Sequence, residues 1–469
     1  MKKVYLIGVK GVGMAALAVY LKEAGYEVEG SDNSVGYVTD EILLKHGINI
    51  FSPFDKDNLK DKNPDFVIVS AAYDDSNVEV KEAIRKKMVV KYYSEILADI
   101  TRDKKLIAVA GIHGKTTTTS LIALLLKRAN LDPSFIIGAA KVPLLEASSH
   151  FGQGDYFVLE ADEYRQSPNN PDSKFLTLSP EFAIISSIEL DHPDVFGSVE
   201  DIYQAFYRFA CRVPRNGKII LNIDYPKSKK LDRSLVDRSF ETYGFSNEAS
   251  WQIIDLIESA RTSFSLKHGR DKFGPYTLQV PGKHNVLNAT TAVILAKMIG
   301  IDEKILKETL EEFRGAQRRF EIIGESNDVS FIDDYAHHPT AIKTTLEAVK
   351  TKFPESKIWC IFQPHTFSRT KSLLKEFGES FPSADKIIIT DIYASAREKE
   401  GGVSAIDLVN EIKNNRGNVQ YINNWDKIRK YLRDFVNGKS VIITIGAGDI
   451  YKLGQEIFKD FKEKADGKK

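Results

Sequence analysis

The stretch Leu106-Ile107-Ala108-Val109-Ala110-Gly111-Ile112-His113-Gly114-Lys115-Thr116-Thr117 decides the fold. Its apolar run, Leu106 to Ala110, reads as a buried strand, and Thr117 to Ala129 reads as a long helix. The turn between them has the form G-x-x-G-K-T, shorter than the general phosphate loop, whose additional glycine would fall at Val109. Glycines expose backbone N–H groups to an anion, and the start of the following helix adds positive potential. In such a turn Lys115 would meet terminal phosphates and the Thr116 hydroxyl would ligate Mg²⁺.

Working outward, the same alternation recurs before and after this unit. Lys2 to Ile7 reads as a strand, followed by glycines and an apolar helix from Met14 to Ala24. Strands are also expected at Tyr26 to Gly30 and Phe66 to Ser70, giving a small doubly wound α/β domain that ends near residue 102. The charged stretch Thr101 to Lys105 separates it from the phosphate-loop unit. That unit continues with strands at Tyr156 to Leu159 and Phe182 to Ser186 and a late helix from Asn285 to Ile299. A third unit begins near Arg314, with strands at Lys357 to Phe362, Lys386 to Ile389 and Ser440 to Ile445 and a final helix. The charged tail Lys462 to Lys469 is expected to fray. The division is therefore 1–102, 103–313 and 314–469.

Composition narrows the function. Lys plus Arg and Asp plus Glu both number 65, for a formal net charge of zero. This balance argues against a nucleic-acid binder or a basic membrane-surface protein. Cys211 and Cys360 show no metal-binding spacing and suit a reduced, cytoplasmic protein. The apolar run after Met1-Lys2-Lys3 is interrupted by Lys10 and rich in glycine, which argues against a leader peptide. No apolar stretch approaches the ~18–20 residues of a membrane span.

Several further motifs carry chemistry. Glu160-Ala161-Asp162-Glu163 follows a strand beside the phosphate loop, where a carboxylate is well placed to hold Mg²⁺. His192, in Ile188-Glu189-Leu190-Asp191-His192, suits a metal or a structural role. Gly8, Gly11 and Gly13 approach a dinucleotide fingerprint, with Lys10 where its second glycine belongs and Asp32 at a ribose-contact distance. Asp333-Asp334-Tyr335-Ala336-His337-His338-Pro339-Thr340 combines acids and histidines with a helix-starting proline. Its place at the start of the third unit suits a site facing the phosphate loop across a cleft.

In this order these motifs resemble the Mur ligases of peptidoglycan synthesis over essentially the whole chain. Pro281-Gly282-Lys283-His284-Asn285, Arg318-Arg319-Phe320-Glu321 and Gln363-Pro364-His365 complete the likeness. The resemblance implies three α/β domains: a Rossmann-like N-terminal one, a central P-loop ATPase-like parallel sheet and a Rossmann-like C-terminal one. It implies an ATP- and Mg²⁺-dependent ligase joining an amino acid to a nucleotide-linked sugar carboxylate through an acyl phosphate. L-alanine and UDP-N-acetylmuramate fit best, with a murein tripeptide as the alternative acceptor, and the enzyme would be a monomer or homodimer.

Residue by residue, the resemblance implies that Gly11, Gly13, Asp32 and Ser70 contact the sugar nucleotide, with Asp32 near the uridine. Gly111, His113, Gly114, Lys115, Thr116 and Thr117 would hold the phosphates of ATP. His284, Asn285 and Asn288 would sit near adenine, Arg319 near the transferred phosphate and Asp334 near the ATP ribose. Thr116, Glu160 and His192 would bind Mg²⁺, while His337 and His365 would face the substrate. Lys115, His192, His338 and Arg369 are the implied catalytic residues.

Four positions depart from the family or divide its members. Lys10 replaces a glycine usual in the alanine-adding members, and Thr366 stands where they usually carry arginine. Glu163-Tyr164 looks more like the tripeptide-recycling members. Phe206 occupies the place where several members carry a carbamylated lysine, so no carbamylation is expected. Gln363 to Arg369 and Ala394 to Ser404 favour the alanine-adding members. Two other classes compete. A nicotinamide-dependent dehydrogenase built on the first domain leaves the phosphate loop unexplained, and a P-loop regulator predicts ATP hydrolysis that no sugar nucleotide stimulates.

Overall fold

The structure, a computed structural model, describes residues 2–235, 238–259, 261–394, 398 and 401–467. The stretch 394–404 read for acceptor preference therefore lies partly outside the described residues.

Three sheets organise the chain. The first has five parallel strands, with Lys3–Ile7 at its centre, flanked by Glu27–Ser31 and Phe66–Val69. Strand order reverses at this centre, and in open α/β sheets that point opens a crevice beyond the carboxyl ends of the strands. The Gly8–Gly13 turn and Ser70 flank this point, and Val12–Glu23 is the helix that follows the turn.

The second sheet has ten strands. Lys105–Ala110 lies between Phe182–Ile185 and Tyr156–Glu160, all parallel. Their carboxyl ends release the phosphate loop, the acidic turn and the Ile188–His192 segment side by side. The sheet is parallel only in its middle. Trp251–Ile257 still joins in parallel, Thr262–His268 and Asp271–Leu278 then extend that edge antiparallel, and Ser149–His150 closes the other edge antiparallel.

The helix after the phosphate loop runs Lys115–Arg128, two residues earlier than the sequence pattern suggests, and is buried from Thr116 to Leu126. Threonine and serine are poor helix formers because their hydroxyls compete for backbone groups. Here Thr119 and Ser120 turn their hydroxyls back onto the Lys115 and Thr116 carbonyls at 2.8 and 2.7 Å, which lets polar residues enter the core. The helix packs against Lys283–Ile299, which ends on Gly300 in a left-handed cap.

The third sheet has six strands, parallel except for the edge strand Glu321–Ser326. Val329–Asp334, Ser440–Ile445 and Lys357–Phe362 are adjacent, so the turns after them gather at one end. The last helix holds from Ile450 to Asp466, past the point where fraying is expected. Its buried Leu453, Ile457 and Phe461 anchor it to the sheet. Phe206 is fully buried, its ring edge-on to Phe175 at 5.3 Å. Among the described residues no helix is long and apolar enough to cross a membrane.

Candidate active site

The turns at the carboxyl ends of all three sheets meet around one cavity of about 530 Å³. That is within the range of small-molecule sites, about 300–1,000 Å³. Of the residues singled out from the sequence, Gly11, Gly13, Ser70, His113, Gly114, Lys115, Thr116, Thr117, Glu160 and His192 line it. So do His284, Asn285, Asn288, Arg319, Asp334, His337, His338, His365 and Arg369. Gly111 and Asp32 do not.

Gly111 instead shapes the loop. At φ 131° a Cβ there would lie 2.1 Å from Ser186 Oγ. Gly114, at φ 78°, caps the helix, and a Cβ would meet Asn288 Oδ1 at 2.3 Å. The close approach of loop and Asn288 thus requires glycine. His113 N–H donates to Ser187 Oγ at 2.9 Å.

Lys115 Nζ donates to the Gly111 carbonyl at 2.6 Å and to both Glu163 oxygens at 3.0 and 2.9 Å. Burial opposes its charge, but Glu163, Asp162 and Glu160 outweigh burial and raise its pKa, so it stays a cation. Glu163 in turn meets His192 Nε2 at 3.1 Å. Burial disfavours the imidazolium, yet Asp191 and Glu163 raise the His192 pKa. The ligand atoms of Asp162, Glu163 and His192 all lie within 4.8 Å of one another.

The Thr116 hydroxyl donates to Glu160 Oε1 at 3.2 Å and accepts from the Arg319 guanidinium at 3.0 Å. Arg319 belongs to the third sheet's unit, so this bond crosses the cleft. The structure therefore brings Thr116 to Glu160 as the sequence suggests, but pairs His192 with Glu163 rather than with Glu160.

The Ile188–His192 segment clasps the third unit through consecutive residues. Glu189 accepts from the Thr340 hydroxyl at 3.3 Å, and the Leu190 carbonyl meets His338 Nε2 at 3.1 Å. Asp191 accepts from Arg369 Nε at 2.7 Å in an ion pair whose side chains are 4% and 5% exposed. Burial works against the Asp191 carboxylate, but Arg369 and His192 hold its pKa well below the usual range.

Burial pushes His284 and His338 down to about 4 and His337 well below the usual imidazole value, so all three are neutral near pH 7. His338 caps the helix Pro339–Lys352, its Nδ1 accepting from Thr340 N at 3.3 Å. With Nε2 directed at the Leu190 carbonyl, these contacts assign the proton to Nε2. His365 stacks on Tyr393 at 5.7 Å, and its Nδ1 lies 3.2 Å from the Arg369 guanidinium.

Two carboxylates assigned to ligands by resemblance already serve the backbone. Asp334 accepts from Phe320 N and Ala336 N at 2.7 and 2.8 Å. Asp32 accepts from Lys10 N at 2.7 Å and Asn33 N at 2.8 Å. Thr366 holds φ 68° at the start of a short helix, a conformation rare for a β-branched residue. Tyr164 is buried, its hydroxyl donating to Asp194 at 2.5 Å and its ring edge-on to His192.

Sequence reasoning gave no specific role to Glu163, Asp191, Glu189 or Arg318. The first three stand inside the quoted motifs, beside the residues to which a role is given. Arg318, beside Arg319, donates to Asp333 and to the Gly446 and Gly448 carbonyls, tying the third unit's turns together.

Comparison with known proteins agrees with this geometry. Residues 3–105 match the Mur ligase family catalytic domain, 109–296 the Mur ligase middle domain, and 318–448 the Mur ligase glutamate ligase domain. A UDP-N-acetylmuramate–L-alanine ligase of Alkaliphilus metalliredigens is 39% identical over 97% of this chain and 96% of its own length. The crystal structure of the UDP-N-acetylmuramate–alanine ligase of Thermotoga maritima superposes with a TM-score of 0.83 at 26% identity, covering 99% of this chain and 100% of that one. A murein peptide ligase from Psychrobacter arcticus shares the fold, with a TM-score of 0.73 at 24% identity over 98% of this chain and 99% of that one. The three-domain α/β architecture, the cleft built at its carboxyl ends and these matches across nearly the whole chain lead to one conclusion: the chain belongs to the Mur ligase family.

Proposed function

We propose that the protein joins L-alanine to UDP-N-acetylmuramate with cleavage of ATP to ADP and phosphate, through an acyl phosphate. The observation that carries this reading is the single cavity in which Lys115, Thr116, Glu160 and His192 face Arg319, Arg369, His337 and His365. A full-length relative with 39% identity named for this reaction supports the acceptor. We take 1–102 as the sugar-nucleotide unit, 103–313 as the ATP unit and 314–469 as the unit that completes the site, in a cytoplasmic enzyme.

A carboxylate resists amine attack because it is anionic and would have to expel oxide. Phosphorylation supplies a good leaving group. In the ATP unit the loop N–H groups and Lys115 hold the phosphates, Lys115 exchanging its Glu163 partner for phosphate oxygens. His284, Asn285 and Asn288 flank the adenine end, and Asp334 lies toward the ribose end. Arg319 lies where charge grows on the transferred phosphoryl group and offsets it.

The Thr116 hydroxyl and the Glu160 carboxylate are oxygen donors that suit a hard divalent cation, with the His192 imidazole nearby on Glu163, and Mg²⁺ held there would neutralise phosphate charge. The Asp162–Glu163–His192 grouping within 4.8 Å supports a cation at this end of the cavity. The amine of L-alanine then attacks the acyl carbon, and the resulting oxyanion collapses to amide and phosphate. Arg369, steadied by Asp191, offsets the oxyanion, and His338, neutral and hydrogen-bonded to Leu190, positions the surrounding turn. Closure of the cleft keeps water from the acyl phosphate.

A competition assay tests the acceptor, using equimolar L-alanine, glycine, L-serine and L-alanyl-γ-D-glutamyl-meso-diaminopimelate with UDP-N-acetylmuramate and ATP. The alanine adduct should dominate. Glycine and serine should react less well, since a methyl-sized pocket discriminates by only ~1–3 kcal/mol. Dominant tripeptide product would reverse the acceptor and leave the ligase chemistry standing.

A further inference from the structure

We propose that Lys10 is a positioning residue for the sugar nucleotide, holding the 33–39 loop as a wall of its pocket. This rests on the reading that the first unit takes the nucleotide. Lys10 is 8% exposed, in the turn between Gly8 and Gly11. Its ammonium does not enter the cavity lining. It donates instead to the Asn33 carbonyl at 3.2 Å and the Val35 carbonyl at 3.1 Å, and lies 3.7 Å from the Asp40 carboxylate. The Tyr37 ring lies 5.9 Å from it.

The backbone of the same residue makes two more ties. Its N–H donates to Asp32, and its carbonyl accepts from the buried Thr39 hydroxyl at 2.5 Å. One residue therefore fastens the loop at both ends and in the middle, immediately before Gly11 and Gly13, which line the cavity.

The loop so held borders the site. Val38 lines the cavity, while Val35 and Tyr37 of the same loop are 61% and 37% exposed. Among the cavity residues of the third unit is His365, which stacks on Tyr393. A cation whose donors are spent on backbone carbonyls orders a chain segment, and segment order set before binding lowers the cost of binding. Lys10 thus acts on nucleotide affinity through the loop rather than by touching phosphate.

Lys10→Met, Lys10→Arg and Thr39→Val test this in the full chain. Lys10→Met should raise KM for UDP-N-acetylmuramate on the order of tenfold, with KM for ATP and kcat changed less than about twofold. Lys10→Arg should restore most of the loss. Thr39→Val, which cuts the loop's other tie without touching charge, should raise the same KM alone, by less. Hydrogen exchange of the 33–39 amides without ligand should be faster in Lys10→Met than in the wild type. Equal rises in both KM values, or an unchanged KM with unchanged exchange, would overturn the proposal. So would a Lys10→Met effect that Thr39→Val does not share, which would mean direct contact with the diphosphate. Failure of the wild type itself to use UDP-N-acetylmuramate would overturn the functional reading instead, and the exchange measurement would still judge the pin.

Discussion

Two glycine-rich turns in this molecule share one plan and use their lysines in opposite directions. Lys3–Ile7 runs through Gly8 and Gly11 into the helix Val12–Glu23; Lys105–Ala110 runs through Gly111 and Gly114 into Lys115–Arg128. In the first, Lys10 precedes the helix and turns back onto the Asn33 and Val35 carbonyls. In the second, Lys115 opens the helix and faces the cavity, holding the Gly111 carbonyl of its own loop and, in addition, the Glu163 carboxylate. Backbone carbonyls near their donor are a permanent tie. A carboxylate is a partner that phosphate oxygens can replace in kind. A glycine signature thus marks a tight strand–helix turn, and the direction of the neighbouring cation decides whether the turn holds a ligand or holds the chain.

The widest break in the comparison is Lys115→Ala. It should lower the ligation rate by at least about 100-fold, the scale of a lost transition-state charge contact. Circular dichroism should show the fold retained, while Lys10→Met should keep kcat. Normal turnover in Lys115→Ala would remove the phosphate-loop assignment.

Next comes the acidic neighbourhood that only the second turn has. Glu160→Gln or His192→Ala should raise the Mg²⁺ concentration for half-maximal rate by about tenfold or more. Wild-type Mg²⁺ dependence in both would make these side chains structural.

The glycines sharpen the contrast at smaller scale. Gly114→Ala forces a left-handed backbone and a Cβ 2.3 Å from Asn288 Oδ1, whereas a Cβ at Gly11 would meet nothing closer than Gly8 O at 3.8 Å. Denaturant melts should show Gly114→Ala losing roughly 1–2 kcal/mol or more. Gly11→Ala should stay within about 0.5 kcal/mol of the wild type.

The smallest effect lies where the two turn-bearing units join. His150 bridges Glu23 of the first unit and Asp132 of the second at 3.2 and 3.3 Å. The bond to Glu23 leads the rise of its pKa above the model-peptide 6.5. The stability it adds is fully present below pH 6.5 and is lost as pH rises through the higher folded value. The pair is partly exposed, so the amount should be under about 1 kcal/mol. Thermal melts of His150→Gln should lose this part of the wild-type slope above pH 6.5. A wild-type slope unchanged by the substitution would assign it elsewhere.

How much of this the sequence shows depends on how locally each feature is encoded. Lys357–Phe362, Lys386–Ile389 and Ser440–Ile445 begin and end with their apolar runs, because a parallel strand buried on both faces must be continuously apolar. Trp251–Ile257 and the edge strand Asp271–Leu278 are harder to read, since neither is a continuous apolar run, polar residues break both, and Gly274-Pro275 interrupts the second. The same holds at the site. The Gly111–Thr116 loop is contiguous and legible. The Lys115–Glu163 and Asp191–Arg369 pairs join residues 48 and 178 positions apart, so only the sheet order brings them together. Lys10 was visible as a departure, but its partners lie on a loop more than twenty residues away.

The central claim is that the cavity activates a sugar carboxylate by phosphorylation, and oxygen transfer tests it most directly. UDP-N-acetylmuramate labelled with oxygen-18 in its carboxylate is ligated to L-alanine with ATP, and the released phosphate is analysed by mass spectrometry. The account predicts one labelled oxygen in each phosphate released, with release dependent on the sugar nucleotide. Amide formed alongside unlabelled phosphate would contradict it.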